Sequence, residues 1–120
     1  MQKILVVDDS GVMRKIITRS LKSFGVSTVF EAVDGADGFA VFNEHEFDLV
    51  VTDWNMPNRS GLDLVRDIRA TGSIVPIIMV TTEAEQCRLA EAIEAGANDN
   101  LAKPFEAGTL RDKIKQYTCV

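Results

Sequence analysis

A chain of 120 residues, 46% hydrophobic and 26% charged, suits one compact domain over residues 1–120 with a single core. A net charge of −5 and the lack of any basic run argue against a nucleic-acid partner. The longest apolar runs, Ile4–Val7 and Ile77–Val80, are too short for a bilayer, and no secretory signal is legible, so a cytoplasmic monomer without membrane insertion is expected.

Short β-rich runs then alternate with helical stretches. Lys3–Val7 is a nearly continuous apolar run and predicts a strand buried on both faces. It leads to a helix over Val12–Phe24, in which Val12, Ile16, Ile17 and Leu21 share one face while Arg14, Lys15, Arg19 and Lys22 can meet water. Phe24-Gly25 marks a turn before a second strand, Thr28–Ala32. Asp34-Gly35 opens a helix over Ala36–Asn43, followed by a third strand, Leu49–Thr52, and a helix over Gly61–Thr71. After Thr71-Gly72 come a fourth strand, Ile77–Val80, and a helix over Glu83–Ala95. The turn Ala95-Gly96-Ala97 precedes the last strand, Asp99–Ala102, and the last helix, Glu106–Tyr117. Five such units without long insertions imply an α/β doubly wound parallel sheet with helices on both faces. Right-handed crossovers leave few topologies, and no linker, repeat or output domain is expected.

Several residues invite chemistry but read as ordinary. Cys87 and Cys119 are widely spaced, with no metal-ligand pattern around them, and read as incidental thiols. His45, within Asn43-Glu44-His45-Glu46, reads as an exposed loop residue. Met13, Met56 and Met79 read as packing residues. Asp34-Gly35-Ala36-Asp37-Gly38 has the wrong spacing for a calcium loop and reads as a loop with a helix cap.

In a doubly wound sheet, ligands bind outside the carboxyl ends of the strands, where strand order reverses. The predicted strands end there in Asp8-Asp9, Asp53, Thr81-Thr82 and Lys103-Pro104. Each has a plainer reading when taken alone. Asp9 or Ser10 can cap the first helix, Thr81 or Thr82 can cap the fourth, and Glu83 and Glu85 suit that helix's positive end. Lys103-Pro104 alone marks only a turn. Four chain-distant polar elements on one edge are harder to assign to coincidence. Three carboxylates repel one another unless a cation joins them, and oxygen ligands without His or Cys suit Mg²⁺. Three aspartates and Lys103 leave a formal charge of −2, which one Mg²⁺ neutralises. Lys103 can offer a point charge, and Thr81 a hydroxyl, to phosphate oxygens. Asp53, alone at the end of a central strand, is the candidate nucleophile for an aspartyl phosphate. Phosphoryl transfer asks the protein mainly for positioning and charge stabilisation.

The runs Ile4-Leu5-Val6-Val7-Asp8-Asp9-Ser10, Thr52-Asp53-Trp54-Asn55-Met56-Pro57 with Gly61, Val80-Thr81 and Lys103-Pro104-Phe105 resemble the receiver domains of two-component response regulators. The resemblance covers essentially the whole chain. The stretch Asp53–Asn58, the Arg14-Lys15-Ile16 region and the lack of an output domain are most similar to the stand-alone, CheY-like chemotaxis regulators. The resemblance implies sheet order 2-1-3-4-5 with five helices, and a phosphorylation-activated switch rather than a true enzyme. On this resemblance Asp53 takes a phosphoryl group from a sensor histidine kinase or a small acyl phosphate. Mg²⁺ would be held by Asp9, Asp53 and the backbone carbonyl of Asn55, with Asp8 helping through water. Thr81 and Lys103 would contact the phosphoryl group, Thr81 would move inward, and Lys103-Pro104 would be a cis peptide. Asn55 and Glu83 stand where the family tunes hydrolysis, here toward a short-lived phosphorylated state. The output face would span residues 83–95 and 101–117 and bind a downstream target, in chemotaxis the flagellar motor switch. One position departs from the family: the usual aromatic two residues after Asn98 is here Asn100, and an amide cannot fill the same apolar pocket.

Other functions match less of the pattern. A hydrolase of the haloacid dehalogenase type needs Asp-x-Asp after the first strand, whereas Asp8 and Asp9 are adjacent. A flavodoxin-like FMN carrier would set two aspartates against the cofactor's phosphate. A phosphorylation-independent interaction module stays open through Asn100, and a phosphorelay shuttle receiver is compatible with every residue named.

Overall fold

The computed structural model describes residues 3–118, so Cys119 lies outside the described residues. Five strands, β1 (Lys3–Val7), β2 (Thr28–Ala32), β3 (Leu49–Asp53), β4 (Ile77–Thr81) and β5 (Asp99–Ala102), form one parallel sheet in the order β2-β1-β3-β4-β5. The helices are α1 (Gly11–Ser23), α2 (Gly35–Glu44), α3 (Gly61–Ala70), α4 (Leu89–Ala95) and α5 (Ala107–Tyr117). The doubly wound reading and its strand order therefore hold. Among the described residues, no helix is long and apolar enough to cross a membrane.

The unbroken apolar strands follow from cover on both faces. Leu5 and Val7 enter one core layer with Leu64, Val65 and Ile68 of α3, and α2 adds Phe39 and Phe42. Ile4 and Val6 enter the other layer, with Ile17 and Leu21 of α1 and Leu110 and Ile114 of α5. Alternate residues of one strand thus feed two cores, each buried aliphatic side chain contributing about 1.5–3 kcal/mol.

Helix starts obey simple chemistry. The Ser10 hydroxyl caps α1 by accepting from the Met13 N–H at 3.2 Å. Asp34 caps α2 by accepting from the Asp37 N–H at 2.7 Å, and Ser60 with Asp63 forms a capping box on α3. The plain cap readings of Ser10 and Asp34 hold. Those of Thr81 and Thr82 do not, because the turn after β4 begins at Glu83 with no side-chain cap.

Three expectations need correction. Val12 and Ile16 do not share the buried face of α1; they are 72% and 48% exposed. The helix instead buries the row Met13, Ile17 and Leu21, spaced by four, which turns the 12–16 row toward water. The helix read over Glu83–Ala95 is divided: a 3-10 segment, Ala84–Arg88, precedes α4, with Arg88 at φ −104° and ψ 8°. Its i→i+3 bonds, Glu85 N–H to Thr82 and Gln86 N–H to Glu83, wind the chain more tightly. Lastly, His45 is half-buried at the end of α2, its ring 4.2 Å from that of Phe30, because the neighbouring aromatics offer it an apolar seat. Cys87 is exposed and free, and Met79 is fully buried.

Gly61 closes the joint between β3 and α3. Its N–H donates to the Trp54 carbonyl at 2.8 Å, and a Cβ there would strike the Asp53 carbonyl and the Met79 sulfur. Gly61→Ala should therefore cost about 2–3 kcal/mol through overpacking. By thermal melting this is a fall in Tm of roughly 10 °C. Gly108→Ala, which points into open space on α5, should leave Tm unchanged or slightly raised.

Candidate functional site

The carboxyl ends of β1, β3, β4 and β5 bring the expected residues together. Asp8 is 1% exposed and Asp53 8%, while Asp9 faces solvent. One carboxylate oxygen from each of the three lies within 4.8 Å of the others. Lys103 reaches in from the end of β5, its Nζ 3.1 Å from Asp53 Oδ1 and 4.0 Å from Asp8 Oδ2. The Lys103-Pro104 peptide is cis, as the resemblance implied. Thr81 is fully buried, and its carbonyl accepts from the Lys103 N–H at 2.7 Å.

Local contacts fix the Asp8 carboxylate and the loop that follows Asp53. Asp8 Oδ1 accepts from the Ser10 N–H at 2.8 Å, and the Asp8 carbonyl accepts from Arg14 Nη1 at 2.7 Å. Arg14 is itself tied to Glu31 of β2 at 3.1 Å, which anchors the turn after β1. The loop after Asp53 is clasped by the loop after β2. There Asn58, at φ 67°, donates to Asp34 Oδ2 at 2.6 Å, and the Gly35 N–H donates to the Arg59 carbonyl at 2.9 Å.

The electrostatics are those of crowded, dry acids. Burial pushes the Asp53 carboxyl up, Lys103 opposes that shift, and the charge of Glu85 adds to it. Burial also pushes Asp8 up, with further repulsion from Asp53 and Asp9. Asp8 Oδ2 is buried without a hydrogen-bond partner. A buried carboxylate oxygen that lacks a hydrogen bond, beside two more carboxylates, is a donor set that fits a hard divalent cation.

Sequence reasoning missed the residues that hold Asn55 and Thr81 beside this cluster. Glu85 is buried and accepts from Asn55 Nδ2, whereas Glu83, the acid singled out from the sequence, is exposed. Gln86 donates to Thr81 Oγ1 and holds Asn100 Nδ2 at 3.4 Å through its own carbonyl oxygen. A regular helix over Glu83–Ala95 hid both contacts; the legible signal was the density of polar residues after Thr81-Thr82. A groove of about 1010 Å³ lies elsewhere, lined by Lys3, Phe42, His45 and Pro76. The acid cluster is the candidate site because it gathers buried carboxylates around one lysine, an arrangement the groove does not have.

A family model described as the response regulator receiver domain matches residues 4–115. The chemotaxis protein CheY-3 of Vibrio cholerae is 42% identical over 114 residues, covering 93% of this chain and 88% of that protein. The chemotaxis protein CheY of Pseudomonas aeruginosa is 42% identical over 116 residues, 95% of this chain and 94% of that one. Among solved structures, the chemotaxis response regulator CheY4 of Vibrio cholerae superposes with a TM-score of 0.90 at 32% identity, over 98% of this chain and 99% of that one. The receiver domain of the sensor histidine kinase PA1611 of Pseudomonas aeruginosa, solved with a magnesium ion coordinated in its active site cleft, has a TM-score of 0.87 at 33% identity. That match covers 97% of this chain and 96% of the other.

The raised carboxyls set a pH dependence. A carboxyl raised in the fold binds its proton more tightly than in the unfolded chain, whose value is near 3.8. Its contribution to stability is therefore complete at low pH and lost as pH rises through the folded value. Asp8→Asn removes that charge and keeps an acceptor for the Ser10 N–H. Without Mg²⁺ its Tm should exceed wild type by several degrees at pH 7, with the gap closing toward pH 4. Melting curves across that range check it.

Proposed function

The chain belongs to the response regulator receiver family, and we propose that it is a phosphorylation-operated signalling switch with Asp53 as phosphoacceptor. The observation that carries this reading is the buried Asp8–Asp53–Lys103 constellation with Thr81 alongside. A carboxylate oxygen of Asp53 attacks phosphorus, forming the new P–O bond. The bond from phosphorus to the donor, an imidazole nitrogen of a kinase or the oxygen of an acyl phosphate, breaks with its electron pair leaving on the donor. Lys103 Nζ turns from Asp53 to a phosphoryl oxygen, and Thr81 donates its hydroxyl proton to another.

Asp8, Asp9, Asp53 and the Asn55 carbonyl are the residues that would hold Mg²⁺. When bound, the ion supplies charge neutralisation for the acids and for the phosphoryl oxygens. The donor set fits, and the PA1611 receiver, similar over nearly its whole length, holds magnesium in its cleft.

The partners that follow are a sensor histidine kinase and a downstream protein that reads the face of α4, β5 and α5. Similarity to two CheY chemotaxis proteins favours chemotaxis, with the flagellar motor switch as target. Similarity to the receiver of a sensor histidine kinase favours a second reading, a phosphorelay shuttle that hands its phosphate to another histidine.

Trp54, the only tryptophan, is next to Asp53 and reports on the site. Titration with Mg²⁺ should give a saturable fluorescence change, and beryllofluoride or acetyl phosphate a second change. Asp53→Asn should abolish the second change and the added phosphate seen by mass spectrometry. An unphosphorylated wild-type chain in Mg²⁺ and acetyl phosphate would leave a constitutive interaction module as the better description.

A further inference from the structure

The 3-10 segment Ala84–Arg88 holds residues that flank Asp53 and end β4 through three side chains. Glu85, only 6% exposed, accepts from Asn55 Nδ2 and, at 2.9 Å, from the Thr82 N–H. Gln86 bridges Thr81 Oγ1 and Asn100 Nδ2. Arg88 sets its guanidinium 4.9 Å from the centre of the Trp54 ring. Asn55, Thr81 and Trp54 are therefore all held by one turn of chain.

Glu85 also changes the charge balance. With Asp8, Asp9, Asp53 and Lys103 it brings the formal charge of the site to −3 rather than −2. Its buried carboxylate is held on the side chain of Asn55, two residues past Asp53, which fixes its charge on the loop that follows Asp53. A phosphoryl group on Asp53 adds further negative charge beside an acid that cannot withdraw into water without leaving Asn55. Among the described residues, Lys103 is the one cation ion-paired with Asp53.

Resting on the reading of Asp53 as phosphoacceptor, we propose that Glu85 is a positioning residue whose charge opposes phosphorylation. It pins Asn55 and the 3-10 segment over the site in the unphosphorylated chain. Phosphorylation repels Glu85 outward. Gln86, the next residue, moves with it and releases both Thr81 and Asn100. The signal thus passes from Asp53 to β5 along polar side chains, at the position where an aromatic was expected and Asn100 stands.

The test compares wild type, Glu85→Gln, Glu85→Asp and Glu94→Gln in Mg²⁺ and acetyl phosphate, with phosphoprotein quantified by mass spectrometry during uptake and after donor removal. Glu85→Gln keeps the size and an acceptor but loses the charge. It should take up phosphate roughly five- to tenfold faster, the effect of one unit charge through a partly shielded site, and lose it more slowly. Glu85→Asp keeps the charge and should stay near wild type. Glu94→Gln makes the same change of net charge on the exposed face of α4 and should alter neither rate. A purely structural role for Glu85 would slow uptake together with a fall in Tm, and that result, or unchanged rates in Glu85→Gln, overturns the proposal. Unchanged rates beside a normally phosphorylated wild type reject Glu85 alone. A wild type that takes up no phosphate rejects the phosphoacceptor and Glu85 together.

Discussion

Asp8 and Asp53 sit almost out of water at the ends of neighbouring strands, and Lys103 reaches both, at 4.0 and 3.1 Å. Like charges this close and this dry are costly, and the rest of the molecule is arranged around that cost. Arg14 anchors the turn that carries Asp8, and the Asp34–Asn58 clasp anchors the loop that follows Asp53. Gly61 lets α3 begin directly beneath the Asp53 carbonyl. The cores on either face of the sheet hold the strand ends in register, Val7 opposite Thr52 and Asp53 opposite Val80. The fold thereby holds negative charge in a dry place that the chain alone neutralises only in part.

Most of the fold was legible because its signals are strong and local. Continuous apolar runs such as Ile4–Val7 admit few readings once helical stretches alternate with them. That the candidate residues would meet was legible for a related reason: strand ends can be located from the sequence, and a parallel sheet puts all of them on one edge. What stayed hidden depends on side-chain reach. The row on α1 that is buried, Met13-Ile17-Leu21 rather than Val12-Ile16, is decided by how the helix rolls on the sheet. Glu85 and Gln86 lie four and five residues past Thr81, and a regular helix would send them elsewhere. Only the 3-10 winding aims both at the strand ends.

Asn100 illustrates how one substitution alters a neighbourhood rather than a residue. Its backbone N–H donates to the Asp99 side chain at 2.8 Å, and its side-chain amide donates to Gln86 at 3.4 Å. Asp99 in turn is held by Lys113 at 2.9 Å and by the Tyr117 hydroxyl at 3.1 Å. The edge strand β5 is therefore laced to both the 3-10 segment and α5 by polar contacts. Such an edge also resists pairing with the edge of another sheet, since charged and amide side chains line it.

The residues of the candidate site are far apart along the chain: Lys103 and Asp53 are 50 positions apart, and β1 finds its second partner only in β3. Closing loops of such length costs entropy before any of these contacts forms, so the acid cluster exists only where the whole sheet does.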